Sequence, residues 1–144
     1  MRFHRSYYVF PLSIVPTPMV SVSHDGPSNT ILPGGSRVTF TCTITMDPAV
    51  NTSVTVMATW TTTGDRTGLS GSDPAVVQGA PVPTYQSSLT LDNLLTSDSG
   101  NYICTASVVS SEPFTSSAQE AGTVTITVGK QPYRNSVVHS LCKQ

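Results

Sequence analysis

An all-β antiparallel sandwich is the fold class this chain predicts, on three observations. Short segments alternating apolar and polar residues recur from residue 19 to residue 129, and no stretch holds a helical period for long. Clusters of Gly, Pro, Asn and Asp separate those segments, as turns require. The chain holds 20 Ser and 21 Thr, while charged residues make up only 10% of it, against roughly 25% in ordinary soluble domains. Thr is branched at Cβ and favours an extended backbone, so a hydroxyl-rich, charge-poor surface suits strands.

The elements follow in order. Residues 1–18 read as an N-terminal segment that is weakly leader-like or disordered. Met1-Arg2-Phe3-His4-Arg5 is a basic start, but Pro11 interrupts the apolar stretch after it and no small-x-small cleavage site follows. Met19 to Ser23 reads as a first strand, ended by His24-Asp25-Gly26-Pro27. Ile31-Leu32 reads as a second edge piece before a Pro33-Gly34-Gly35 turn. The clearest strand places Val38, Phe40, Cys42 and Ile44 on one face and Arg37, Thr39, Thr41, Thr43 and Thr45 on the other, the period of a half-buried antiparallel strand. Val54, Val56, Ala58 and Trp60 share one face of the next. Thr61 to Pro74 is turn-rich, with room for one short edge strand, and Ala75-Val76-Val77 is another short candidate. Tyr85, Ser87, Leu89 and Leu91 alternate inward, and Leu94 closes a corner. Tyr102, Cys104 and Ala106 form one further inner face, and Val124, Ile126 and Val128 the last. Residues 19–129 thus make one domain, and residues 130–144 read as a linker or disordered tail.

Cys42, Trp60 and Cys104 all fall in inward phase on their own strands, and a slip of one residue would turn any of them outward. With the segments Leu89-Thr90-Leu91-Asp92-Asn93-Leu94 and Asp98-Ser99-Gly100-Asn101-Tyr102-Ile103-Cys104, these residues resemble the immunoglobulin superfamily, most nearly its I-set or V-like members. The resemblance implies an immunoglobulin-like sandwich with Greek-key connections, Cys42 and Cys104 as the inter-sheet disulfide, Trp60 as the tryptophan packed on it, and Tyr102 with Asp98 at the tyrosine corner. Such a bridge closes a loop of about 60 residues and stabilises by roughly 4 kcal/mol in the chain-entropy account. It also implies an oxidising compartment. In this family Asp98 often pairs with an arginine at the start of the fourth strand. Arg66 stands too early in the chain for that place, so either Asp98 caps the corner through backbone amides or the ion pair is absent. The stretch from Cys42 to Trp60 is long, and the loop Met46 to Ser53 is read as enlarged.

Several function classes are excluded by composition. A net charge of −1 and a pI near 6.2 offer no basic field to nucleic acid or anionic lipid. No run approaches the roughly 18 apolar residues of a membrane-spanning helix, so no direct membrane insertion is expected. His4, His24 and His139 are scattered through tails and an early turn. Gly68-Leu69-Ser70-Gly71-Ser72 lacks the final glycine and strand-to-helix setting of a nucleophile elbow. No metal-ligand spacing or phosphate-cradling glycine loop occurs. The chain is therefore not expected to be an enzyme, and no catalytic residue, metal or cofactor is assigned.

What remains is protein contact. The loop Met46 to Ser53 and the hairpin loop, about Val108 to Glu120, are expected at the same end of the sandwich, the second offering Glu112, Pro113 and Phe114 as a partner-binding candidate. Asn51-Thr52-Ser53 is an N-glycosylation acceptor. Cys142 is the odd cysteine, either a free thiol or an intermolecular bridge. The outward threonines make the sheet faces neutral and flat. By resemblance the chain is an extracellular recognition or adhesion module on a surface protein or receptor, its partner itself or another surface protein. The alternative is an intracellular structural immunoglobulin module of a filament-type protein, with Cys42 and Cys104 as buried thiols.

Overall fold

The computed structural model describes residues 17–28, 31–46, 54–110 and 116–131. They form two antiparallel sheets. One holds β1 (Met19–His24), β2 (Val38–Thr45), β5 (Thr84–Leu91) and β4 (Ala75–Val76), in the order β1-β2-β5-β4. The other holds β3 (Val54–Thr62), β6 (Gly100–Ser110) and β7 (Ser116–Ile126), in the order β3-β6-β7. The alternation in β2 explains why it sits inside its sheet. Val38, Phe40, Cys42 and Ile44 are fully buried, and the threonines between them stay on the outer face.

The core lies between the sheets. Phe40 stacks on Tyr102 with ring centroids 4.4 Å apart and lies tilted against Trp60 at 6.3 Å. Leu89, Leu91, Leu94, Cys104, Ala106 and Ile126 fill the rest. The sheets close on one side where β1 approaches β7, and Leu32 pairs in parallel with Val128 beyond the end of β7.

Two expectations are corrected. The hairpin loop expected over Val108 to Glu120 is mostly strand, because the β6–β7 ladder continues to Ser110 opposite Ser116. Past the fully buried Val108 the side chains are small or polar and hide a strand that continues on backbone pairing. The stretch from Thr63 to Pro74 holds no strand at all. It crosses to the other sheet instead, where Ser72 exchanges hydrogen bonds with the backbone of Ser88 beside β5.

That crossing explains Gly71. A Cβ added there would overlap indole atoms Cδ1 and Nε1 of Trp60. Gly71→Ala is accordingly expected to destabilise the domain by about 1–3 kcal/mol, as overpacking does. Thermal melts of the two proteins check it, and an unchanged midpoint would mean that the segment does not seat on the tryptophan.

Candidate interaction surface

The bridge and corner hold the frame on which any surface is built. Cys42 and Cys104 are joined by an intrachain disulfide across the two sheets, with Cα atoms 6.2 Å apart. Trp60 lies on β3, opposite Cys104 in the ladder, and its indole N–H donates to Ser87 Oγ at 3.0 Å. Ser87 Oγ in turn donates to the carbonyl of Ser72 at 2.7 Å, so the one polar atom of the indole is satisfied inside the core. Nothing in the sequence marks Ser87 for this; only its inward phase on β5 points there.

The tyrosine corner is built on a short 3-10 turn, Thr96–Asp98. Tyr102 is fully buried and its hydroxyl donates to the carbonyl of Asp98 at 2.9 Å. Burial pushes the Tyr102 phenol above its ordinary range. Tyr102→Phe is expected to cost about 1 kcal/mol, the usual net worth of such a bond, readable by urea denaturation.

Asp98 overturns the reading that left it without an arginine. Arg66 Nε donates to Asp98 Oδ1 at 3.0 Å and Arg66 Nη2 to Asp98 Oδ2 at 2.8 Å, a two-pronged pair, while the Leu95 backbone N–H also donates to Oδ2. Arg66 stands early in sequence, yet the Asp65 N–H bonds to the Ser97 carbonyl and ties this segment beneath the corner. The Asp98 side chain is 3% exposed and that of Arg66 27%. The Arg66 guanidinium, helped by the Leu95 amide, holds the Asp98 carboxyl below the usual carboxylate range against the opposing effect of burial. The same bond raises the guanidinium.

Charge is distributed unevenly over the described residues. Asp25, Arg37, Asp65, Arg66, Asp92, Asp98 and Lys130 lie at or beyond the strand ends on the corner side, while Asp73 stands just before β4 and Glu120 lies on β7 opposite the inward-facing Ala106. The outer face of the three-stranded sheet carries none. Its cross-strand rows run Thr55–Val109–Ser117, Met57–Ser107–Gln119, Thr59–Thr105–Ala121 and Thr61–Ile103–Thr123. Met57 is 51% exposed at its centre edge. The outer face of the four-stranded sheet is also uncharged along its middle, but there Thr39, Thr41, Thr43, Gln86, Ser88 and Thr90 offer hydroxyls and an amide without apolar side chains among them.

The remaining candidates fall elsewhere. Glu112, Pro113 and Phe114, Asn51, and Cys142 lie outside the described residues. The described ends of their loops do share one end of the sandwich, since Val54 pairs with Ser110. The bridge takes two of the three cysteines within one chain, and no intermolecular disulfide is supported. A cavity of about 530 Å³ opens beside β1 and the end of β7, lined in part by Ser23, His24, Leu32, Val124 and Ile126. Among its described lining residues His24 meets no second titratable group, so no acid–base pair is assembled there. Among the described residues no helix is long and apolar enough to cross a membrane.

Variable-type sandwiches carry two further strands between β3 and β4. Among the described residues none stands there, and the strand set is the seven of the constant type. Comparison with curated proteins gave no match. A family model described as an immunoglobulin domain matches residues 18–107, more than half of the 144-residue chain. With a bridged, two-sheet sandwich and a tyrosine corner beneath it, the chain belongs to the immunoglobulin domain family.

Proposed function

We propose that this domain is an extracellular recognition or adhesion module, part of a surface protein or receptor ectodomain, whose contact surface is the outer face of β3, β6 and β7. The immunoglobulin fold is generally a protein-contact module rather than a catalytic one, and a bridge between Cys42 and Cys104 fits an oxidising compartment. The single observation that carries the choice of face is its lack of charge combined with apolar side chains at Met57, Ile103, Val109 and Ala121. Depletion of charge marks the centres of protein interfaces, and Met is enriched there. The physical reason is desolvation. Burying an unpaired charge costs several kcal/mol, whereas a threonine hydroxyl that finds a partner costs little.

Export is tested by intact mass with thiol alkylation, on protein from its native tissue, before and after glycan removal. The expected result is one alkylated thiol and a glycan on Asn51. Three alkylated thiols and no glycan would place the domain inside the cell and overturn the reading.

A further inference from the structure

A sandwich exposes unpaired backbone N–H and C=O groups along the edges of its sheets, and proteins that stay monomeric blunt those edges. Three of the four edges here are blunted. β4 is two residues long and lies between Pro74 and a stretch carrying Pro81 and Pro83. β1 and β7 close against each other, since a Cβ on Gly122 would stand 3.0 Å from both Val20 Cγ1 and Val22 Cγ2. Beyond them Leu32 bonds to the Thr127 carbonyl and receives the Gly129 N–H.

β3 carries no such device. Its nine residues, VTVMATWTT, include no charge, no Pro and no Gly, and among the described residues its outer side has no ladder partner. The chain after it bonds to Ser97 and then runs beside β5, touching the Trp60 indole at Gly71 but making no ladder bond to β3 among the described residues. The phase of the open edge is fixed. Thr63 N–H donates to the Asn101 carbonyl in the register that pairs Thr62 with Tyr102. Odd-numbered residues therefore turn their backbone groups toward β6, and Val54, Val56, Ala58, Trp60 and Thr62 turn theirs outward.

We propose that β3 pairs antiparallel with β3 of a second copy of this chain, about a two-fold axis at Ala58, joining two three-stranded sheets into one of six. In that register Val54 meets Thr62, Val56 meets Trp60 and Ala58 meets its own copy, all residues whose backbone groups face out. On the outer face Thr55 meets Thr61 and Met57 meets Thr59, pairs free of like charge. A second copy is the occupant because one symmetric contact satisfies both open edges at once and then closes, leaving no β3 edge for further addition. Pairing along one strand is a small interface, so the dimer is weak and reversible. This goes beyond the contact face proposed above and stands even if that face binds nothing.

The test uses the full chain carrying Cys142→Ser, so that any dimer is non-covalent. Sedimentation equilibrium over a concentration series is expected to show monomer and dimer, and amide exchange at Val56, Ala58 and Trp60 to slow as concentration rises. Met57→Lys with Thr59→Lys sets two ammonium groups opposite each other twice across the axis, and is expected to weaken the dimer about tenfold or more. Met57→Lys with Thr59→Glu sets opposite charges in the same places and is expected to return it to the wild-type range. A chain that stays monomeric throughout, exchange at β3 that ignores concentration, or a Lys/Glu variant as weak as Lys/Lys would overturn the proposal. The exchange measurement needs no variant, so it decides even if a substituted chain fails to fold.

Discussion

Reduction of the Cys42–Cys104 bridge is expected to lower the stability of this domain by about 4 kcal/mol. The bridge spans a sequence separation of 62 residues, and in the chain-entropy account a loop of that length carries roughly that much. Ordinary domains are stable by only about 5–15 kcal/mol, so the loss is a large share of the whole. Both cysteines are fully buried in the core cluster that also holds Phe40, Trp60 and Tyr102, and the thiols left by reduction would stay packed as small apolar groups. Urea denaturation with and without reductant checks the figure. A difference under about 1 kcal/mol would mean that the unfolded chain gains little freedom when the bridge opens, and that packing alone holds the sheets.

Asp98→Ala is the second large effect, expected at about 3 kcal/mol. It leaves the Arg66 guanidinium without its carboxylate and the Leu95 amide without an acceptor, and loss of one partner from a buried pair typically costs about 3–5 kcal/mol. Arg66 is partly exposed, so water recovers some of that, and the lower end applies. The pH dependence has a definite sign. The folded-state pKa of Asp98 is depressed, so its contribution is fully present above the unfolded carboxylate value of about 4 and is lost as pH falls through the folded value. Wild-type stability should therefore fall in acid below about pH 4, and the Asp98→Ala protein should lack that part of the fall. Parallel acid titrations of both proteins would refute this coupling if the two curves fell in step.

The sandwich itself was legible because the strands that make it bury one face each. Val38, Phe40, Cys42 and Ile44 announce β2 by alternation alone, and the inward phase of Cys42, Trp60 and Cys104 agrees with the register the structure gives them. The ion pair of Arg66 and Asp98 was not legible. It depends on the path of an irregular segment held by backbone bonds from Thr63 to Asn101, Asp65 to Ser97 and Ser72 to Ser88, and no periodicity encodes that path. The outer half of the β6–β7 hairpin was missed for a different reason. Ser110, Ala118 and Glu120 carry no apolar alternation, and the strands continue there on backbone pairing. The outer face of β3, β6 and β7 was legible only as outward threonines. Which of them share a row with Met57, Ile103 and Ala121 follows from register, which a sequence does not state.

The contact face is tested most directly by the binding of a fluorescent multimer of the full chain to intact cells from its own tissue, wild type beside Thr105→Arg. Thr105 stands at the middle of the face, between Thr59 and Ala121, with its side chain outward. A buried arginine without a partner there would carry a cost of several kcal/mol at an interface, while fold stability should change little. Wild type is expected to bind, and Thr105→Arg, folded by circular dichroism, to lose most of that binding. Equal binding by the two would contradict this expectation and move the contact to the loop ends of the sandwich.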